Sequence, residues 1–188
     1  MCNVAFISAG AGLLGVLVGA ICTAFNQWRG RINDRYRDQL QNFYSPMHGM
    51  REEIKAKSDF RVRLHNIAGE VYPAIARTAT DETKSQFDHL QDYSNKQLCD
   101  ELIPTYNRMA ALFTERMYLA EASTRKYYAK LLVFVEIWNR HIAGTIPREV
   151  AMKLDQDEKE LYPLYKDVED NFTRIQNKLS GHFWIFHF

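Results

Sequence analysis

Residues Val4 to Phe25 form a run of 22 positions without a charged side chain, and the chain then turns to Arg29, Arg31, Arg35 and Arg37. At about 1.5 Å of rise per residue, a helix of that length reaches roughly 33 Å, enough for a hydrocarbon layer of about 30 Å. A cleaved leader is the competing assignment. A leader needs a positive segment ahead of its apolar run, and Met1-Cys2-Asn3 supplies none. Ala20-Ile21-Cys22 is a poor small-x-small cleavage site, and Ile21 is too large to precede a lipoprotein cysteine. The expectation is one uncleaved transmembrane helix over residues 1–25. Trp28, Arg29, Arg31, Arg35 and Arg37 then mark the membrane interface. The positive flank puts the larger C-terminal part in the cytoplasm and the chain in the inner (cytoplasmic) membrane.

A glycine inside a solvent-exposed helix costs about 1 kcal/mol relative to alanine, so Gly12, Gly15 and Gly19 need a reason. Ala11, Gly15, Gly19 and Thr23 recur every fourth residue and lie along one helix face, with Ser8 and Gly12 on a neighbouring row. Small residues at this spacing let two helix backbones approach closely inside lipid. The opposite face carries Leu14, Val18 and Ile21, suited to acyl chains. Self-association through Ser8, Ala11, Gly12, Gly15, Gly19 and Thr23 is therefore expected, although spanning helices are also richer in glycine in general.

After residue 25 the apolar positions recur at helical spacing and valine–isoleucine alternation is almost absent, which predicts an all-α protein. The N-terminal helix is expected to continue without a break through a juxtamembrane stretch over residues 26–44, one long helix from about Val4 to Tyr44, and to end before Ser45-Pro46, where serine can cap and proline can open a new helix. A cytoplasmic antiparallel bundle over 45–180 follows. Its second helix turns Met47, Met50, Ile54, Leu64, Ile67 and Val71 inward and is kinked or ended by Pro73. A short helix over Thr83–Tyr93 precedes a Ser94/Gln97 capping box, and the helix that box starts is kinked at Pro104. Ser123–Ile142 is the most apolar helix after the anchor, too short in its apolar run to span. Pro147 opens a short helix. Asp155–Leu179 forms the last one, with Tyr162, Tyr165, Val168, Phe172 and Ile175 inward. Residues 181–188, with Phe183, Trp184, Ile185, Phe186 and Phe188, make an aromatic tail. It has three placements open to it: back on the bundle, into a neighbouring subunit, or at the membrane interface.

Chemistry-bearing motifs are scarce. A net charge of +1 gives no general case for nucleic-acid binding. Cys2, Cys22 and Cys99 are far apart and have no metal-ligand spacing. None of the six histidines falls in an H-E-x-x-H pattern, and neither a phosphate-binding G-x-x-x-x-G-K-[ST] loop nor a G-x-S-x-G elbow occurs. No metal, cofactor or small-molecule substrate is expected. Arg51–Arg63 interleaves five basic with three acidic residues, whereas Asp155–Asp170 is dominated by acids, so the two stretches can dock on each other.

The run "LQNFYSPMHGMREEIKAKSDFRVRL" after an N-terminal span resembles small bacterial membrane-anchored helical proteins. In layout the chain is similar to the membrane-pore accessory proteins that accompany an RNA-guided ribonuclease in some CRISPR systems. That resemblance implies a ring around a central pore and a degenerate HEPN-like domain. HEPN ribonucleases space an arginine and a histidine by four to six residues. Arg61 and His65 are separated by three, with apolar Val62 after the arginine, so no catalytic residue is carried over. The expected function is a homo-oligomeric, pore-forming or membrane-perturbing effector or accessory in antiphage defence. Its expected partners are membrane lipids, further copies and a cytoplasmic protein or nucleic-acid trigger. A membrane-tethered HEPN-like ribonuclease and a plain membrane scaffold are the alternatives.

Overall fold

Proline shapes the two longest helical runs. The computed structural model describes residues 2–154 and 158–181, with side chains from Val18 onward except at 148, 151 and 152. Helix α1 (Cys2–Gln39) does not end at Ser45-Pro46 as expected. It passes through a π-helical turn, Leu40–Tyr44, into α2 (Ser45–Ile75) with every junction residue still helical. Pro46 has no N–H and its ring would strike the carbonyl four residues back. The wider turn accommodates this, and the Ser45 N–H reaches the Leu40 carbonyl instead.

The same device recurs one helix later. Helix α3 (Asp81–Gln97) runs into a π-helical turn, Leu98–Leu102, and on into α4 (Ile103–Arg116), with the Ile103 N–H on the Leu98 carbonyl just before Pro104. The expected kink at Pro104 is thus a π turn. Ser94 caps nothing, because α3 passes straight through it. Its true cap is Thr80, whose hydroxyl accepts the Thr83 N–H at 3.2 Å, with Asp81 and Glu82 at the positive end of the helix dipole.

The expected helix Ser123–Ile142 is two: α5 (Ala122–Arg125) and α6 (Tyr128–Ile142). Gly144, at φ 67°, turns the chain after α6 as only glycine does cheaply. Helix α7 (Arg148–Lys153) follows; residues 155–157, where the last helix was expected to begin, lie outside the described residues. A short 3₁₀ turn over Glu158–Leu161 leads into α8 (Tyr162–Leu179), opened by Pro163.

Side-chain contacts set the order along the bundle. Helix α4 returns beside α2: Lys57 meets Glu101 at 2.8 Å and Glu53 at 2.8 Å, and Arg108 meets Glu53 at 3.2 Å. Helix α6 runs back along α4, with Asn107 and Asn139 amides paired at 3.1 and 2.9 Å. Helix α8 lies antiparallel to α1–α2: Arg51 stands 5.7 Å from the Tyr165 ring, His48 stacks on Phe172 at 4.6 Å, and Lys178 donates to the Tyr36 hydroxyl at 2.8 Å. Among the described residues the architecture is an all-α antiparallel bundle.

The core is centred on the first π turn. Phe43 and Tyr44 are fully buried, and Phe113 packs on Phe43 at 5.3 Å and on Tyr128 at 5.2 Å. Met47, Ile54, Leu131, Leu164 and Ile175 complete it. Beyond Ile54 the apolar face of α2 loses its cover. Leu64 is half-buried, Ile67 is 47% exposed and Val71 43%, because only α3 accompanies α2 there and α3 buries none of its own side chains. Tyr162, expected inward, is 54% exposed at the edge of α8.

Candidate functional site

Helix α1 stands free of the bundle over its described side chains from Val18 to Arg31. Every described residue from Val18 to Arg31 is exposed, and packing begins only near Ile32. Val18, Ile21, Phe25 and Trp28 are each more than half exposed, although a water-facing helix would keep such side chains covered. A Cβ added at Gly19 or Gly30 would meet nothing within 4 Å. The chain's own packing therefore gives no reason for glycine at position 19. Thr23 donates to the Gly19 carbonyl at 2.8 Å, which ties its hydroxyl to the helix and leaves a narrow side.

Ser8, Ala11, Gly12 and Gly15, the rest of the expected association face, lie where side chains are outside the described residues. Among the described residues no helix is long and apolar enough to cross a membrane. Trp28 leans toward Phe25 at 6.0 Å, and Arg29, Arg31, Arg35 and Arg37 project around the helix, Arg37 meeting Asp34 at 3.3 Å.

A buried polar joint fixes the direction in which this free segment leaves the bundle. Gln39, 1% exposed, donates its amide to the Leu119 carbonyl at 2.8 Å. The Glu121 N–H donates to the Tyr44 hydroxyl at 2.9 Å; Tyr44 lies 2.9 Å from the Thr124 hydroxyl, which donates to Asp167 at 2.6 Å. Asn171 donates to the same carboxylate at 3.1 Å, and Arg174 reaches Glu121 at 3.1 Å. Burial pushes the Tyr44 phenol up from its ordinary value, with the Glu121 and Asp167 carboxylates adding to the rise, so it keeps its proton for Thr124.

Three distant segments thus meet at the end of α1. Sequence periodicity missed this joint. The available signal was Asp167 and Asn171, one turn apart on the face of α8 that also carries Leu164, Val168 and Ile175. Replacing Thr124 with valine keeps the volume and leaves Tyr44 and Asp167 short of a buried partner. Urea unfolding of Thr124→Val is expected to show a loss of about 1–3 kcal/mol.

The remaining candidates are hollows on the bundle. Arg61 and His65 do line a common one, of ≈ 220 Å³, with Asn66, Gln91 and Ser94 between α2 and α3. The Arg61 Nε is buried without a partner among the described residues, while His65 is exposed. The basic stretch of α2 and the acidic stretch before α8 do come together, around a cleft of ≈ 190 Å³ that includes Arg51, Lys55, Asp59 and Glu158. Tyr165 there donates to Glu158 at 3.3 Å, its oxygen 3.2 Å from the Tyr106 hydroxyl. Burial raises both phenols far above their usual range, so neither is a nucleophile near neutral pH.

An apolar groove of ≈ 480 Å³ lies along α6, lined by Leu132, Val133, Ile137, Ile146 and Leu154. Among the described residues no group of three His, Cys, Asp or Glu side chains is placed to hold a metal ion, and Cys22 and Cys99 are exposed thiols. The chain matches no protein-family model, and neither curated proteins nor solved structures yield a match.

Proposed function

We propose that this chain is a membrane-anchored homo-oligomer of the inner membrane, its bundle in the cytoplasm. It acts as a pore-forming or membrane-perturbing effector or accessory in bacterial antiphage defence. One observation carries this: the exposed apolar segment of α1 is joined to the bundle by unbroken helix rather than by a linker. Most of a helix's stability in a protein comes from packing of its apolar face rather than from propensity. Val18, Ile21, Phe25 and Trp28 therefore need lipid or other copies against them. A rigid joint also transmits any rotation of the bundle to the segment inside the bilayer, which a passive tether does not need.

The glycine face separates this function from a scaffold. Gly15→Leu with Gly19→Leu blocks close backbone approach while keeping the segment apolar. Its expected effect is a particle of monomer mass in mild detergent, loss of dye entry into expressing cells, and continued resistance to alkaline extraction from membranes. An unchanged mass with unchanged dye entry would remove the oligomer from the proposal. The ribonuclease alternative has one favourable observation, the hollow shared by Arg61 and His65. That hollow supplies a single arginine–histidine pair, with apolar Val62 among its lining residues.

A further inference from the structure

The expected aromatic tail over residues 182–188 lies outside the described residues. The hollow between α2 and α3 is described throughout its lining, and its chemistry is one-sided. The two helices run antiparallel, joined by Lys57 and Glu101 at 2.8 Å on one side of the hollow and by the Tyr72 and Phe87 rings at 4.8 Å on the other. Arg61 and His65, one turn apart on α2, line it with Asn66; Gln91 and Ser94 line it from α3. Each of the five brings a hydrogen-bond donor, and no carboxylate lines the hollow.

These donors are also uncommitted. Arg37, Arg51, Arg108, Arg140 and Arg174 each meet a carboxylate. Arg61 meets none among the described residues, and the positions three and four away on α2 are Lys57, Ser58, Leu64 and His65. Its side chain is half-buried and its Nε is covered without an acceptor, so the charge has lost hydration and gained no counter-charge. Thr23, Thr105 and Thr114 return their hydroxyls to the carbonyl one turn back, as helical hydroxyls do. Ser94 does not, and neither His65 nor Asn66 has a side-chain partner among the described residues. Gln91 donates one amide N–H to Asn95 at 3.3 Å and keeps the other.

A half-buried guanidinium among free N–H and O–H donors, with no acid beside it, suits an oxyanion. Volume and surroundings narrow the kind. At about 30 Å³ per water, the ≈ 220 Å³ hollow has the space of about seven waters, enough for a phosphoryl group and part of what carries it. Val62, exposed on the lining, offers that remainder an apolar wall. A polyanion fits less well. Helix α3 carries Asp81, Glu82, Asp88 and Asp92 against Lys84 and Lys96, so a nucleic-acid strand crossing the hollow meets net negative charge.

We infer that the α2–α3 hollow binds the phosphoryl group of a small molecule, with Arg61 as counter-charge and His65, Asn66, Gln91 and Ser94 as hydrogen-bond donors. No bond is made or broken there. Such a site stands whether or not α1 enters a membrane. Because α3 buries none of its own side chains, an anion bridging it to α2 ties down a helix that little else holds.

Hydrogen exchange on the full chain in mild detergent tests it, with inorganic phosphate and phenyl phosphate as probes and chloride at matched ionic strength as reference. Both probes are expected to slow exchange of the α3 amides several-fold. Whichever does so at the lower concentration identifies the source as free phosphate or a monoester. Arg61→Met keeps the apolar stem and is expected to raise the concentration required by about tenfold or more, and Ser94→Ala by about threefold. Arg63→Met, two positions on and outside the hollow, is expected to leave it unchanged. Circular dichroism checks the fold of each variant; should Arg61→Met unfold, Ser94→Ala decides. No slowing by either probe, or equal losses in the Arg61 and Arg63 variants, overturns the site. A short single-stranded RNA that protects α3 through Arg61 at a concentration lower than that of phenyl phosphate by about tenfold overturns the small-molecule assignment.

Discussion

Two alanines inserted between Gly30 and Arg31 are expected to abolish membrane permeabilisation, by about tenfold or more, while seven inserted at the same point restore most of it. Each added residue turns the N-terminal part of α1 by about 100° relative to the bundle and lengthens it by about 1.5 Å. Two residues rotate the Gly19 face to the opposite side; seven return it to within about 20°. The insertion point is exposed on every side, so neither variant disturbs packing. The effect depends on the joint. Gln39 and Tyr44 are held by Leu119, Glu121 and Thr124, so the bundle cannot swivel to correct the register. Dye entry into expressing cells is the measurement. Equal dye entry for two and seven inserted residues would mean that the free segment works independently of the bundle, as in a tether.

Phe113→Ala is expected to cost the bundle about 3–5 kcal/mol, the range for removing a fully buried phenylalanine. Its ring is 0% exposed and lies between Phe43 of the π turn and Tyr128 at the start of α6, so its loss opens a cavity at the junction of three helices. A domain is stable by only about 5–15 kcal/mol, so this single change removes much of the margin. At about 2–4 °C per kcal/mol for a chain of this size, the melting temperature falls on the order of 10 °C. Phe60→Ala is the control: Phe60 is 63% exposed on the part of α2 beyond the core, and its loss is expected to stay within about 0.5 kcal/mol. Thermal melts followed by circular dichroism compare the two. Similar losses would mean that α2 is covered along its whole length.

Helix type and placement were legible because a 3.6-residue apolar repeat is a property of neighbours in sequence. Met47 and Ile54 on α2, and Val168 and Ile175 on α8, were expected inward and are buried. The same repeat continues through Ile67 and Val71, which are exposed, because periodicity says which face is apolar and not whether another helix reaches it. Proline was read as a boundary at Pro46 and a kink at Pro104. Whether a helix breaks there or widens into a π turn depends on what grips the turn, and Phe43, Tyr44 and Leu102 are gripped by residues far along the chain.

By itself, then, the amino-acid order determined an all-α chain, the uncharged run, the arginine belt after it, and the small-residue spacing that asks for a close neighbour. Tertiary structure alone decided that the helix continues past Pro46 through a π turn, that a polar joint orients α1, and that Lys178 comes to rest on Tyr36. The physical reason is range. Helix and charge are set within one or two turns, but Gln39 meets Leu119 across 80 positions and Tyr36 meets Lys178 across 142, and no local pattern encodes such a meeting.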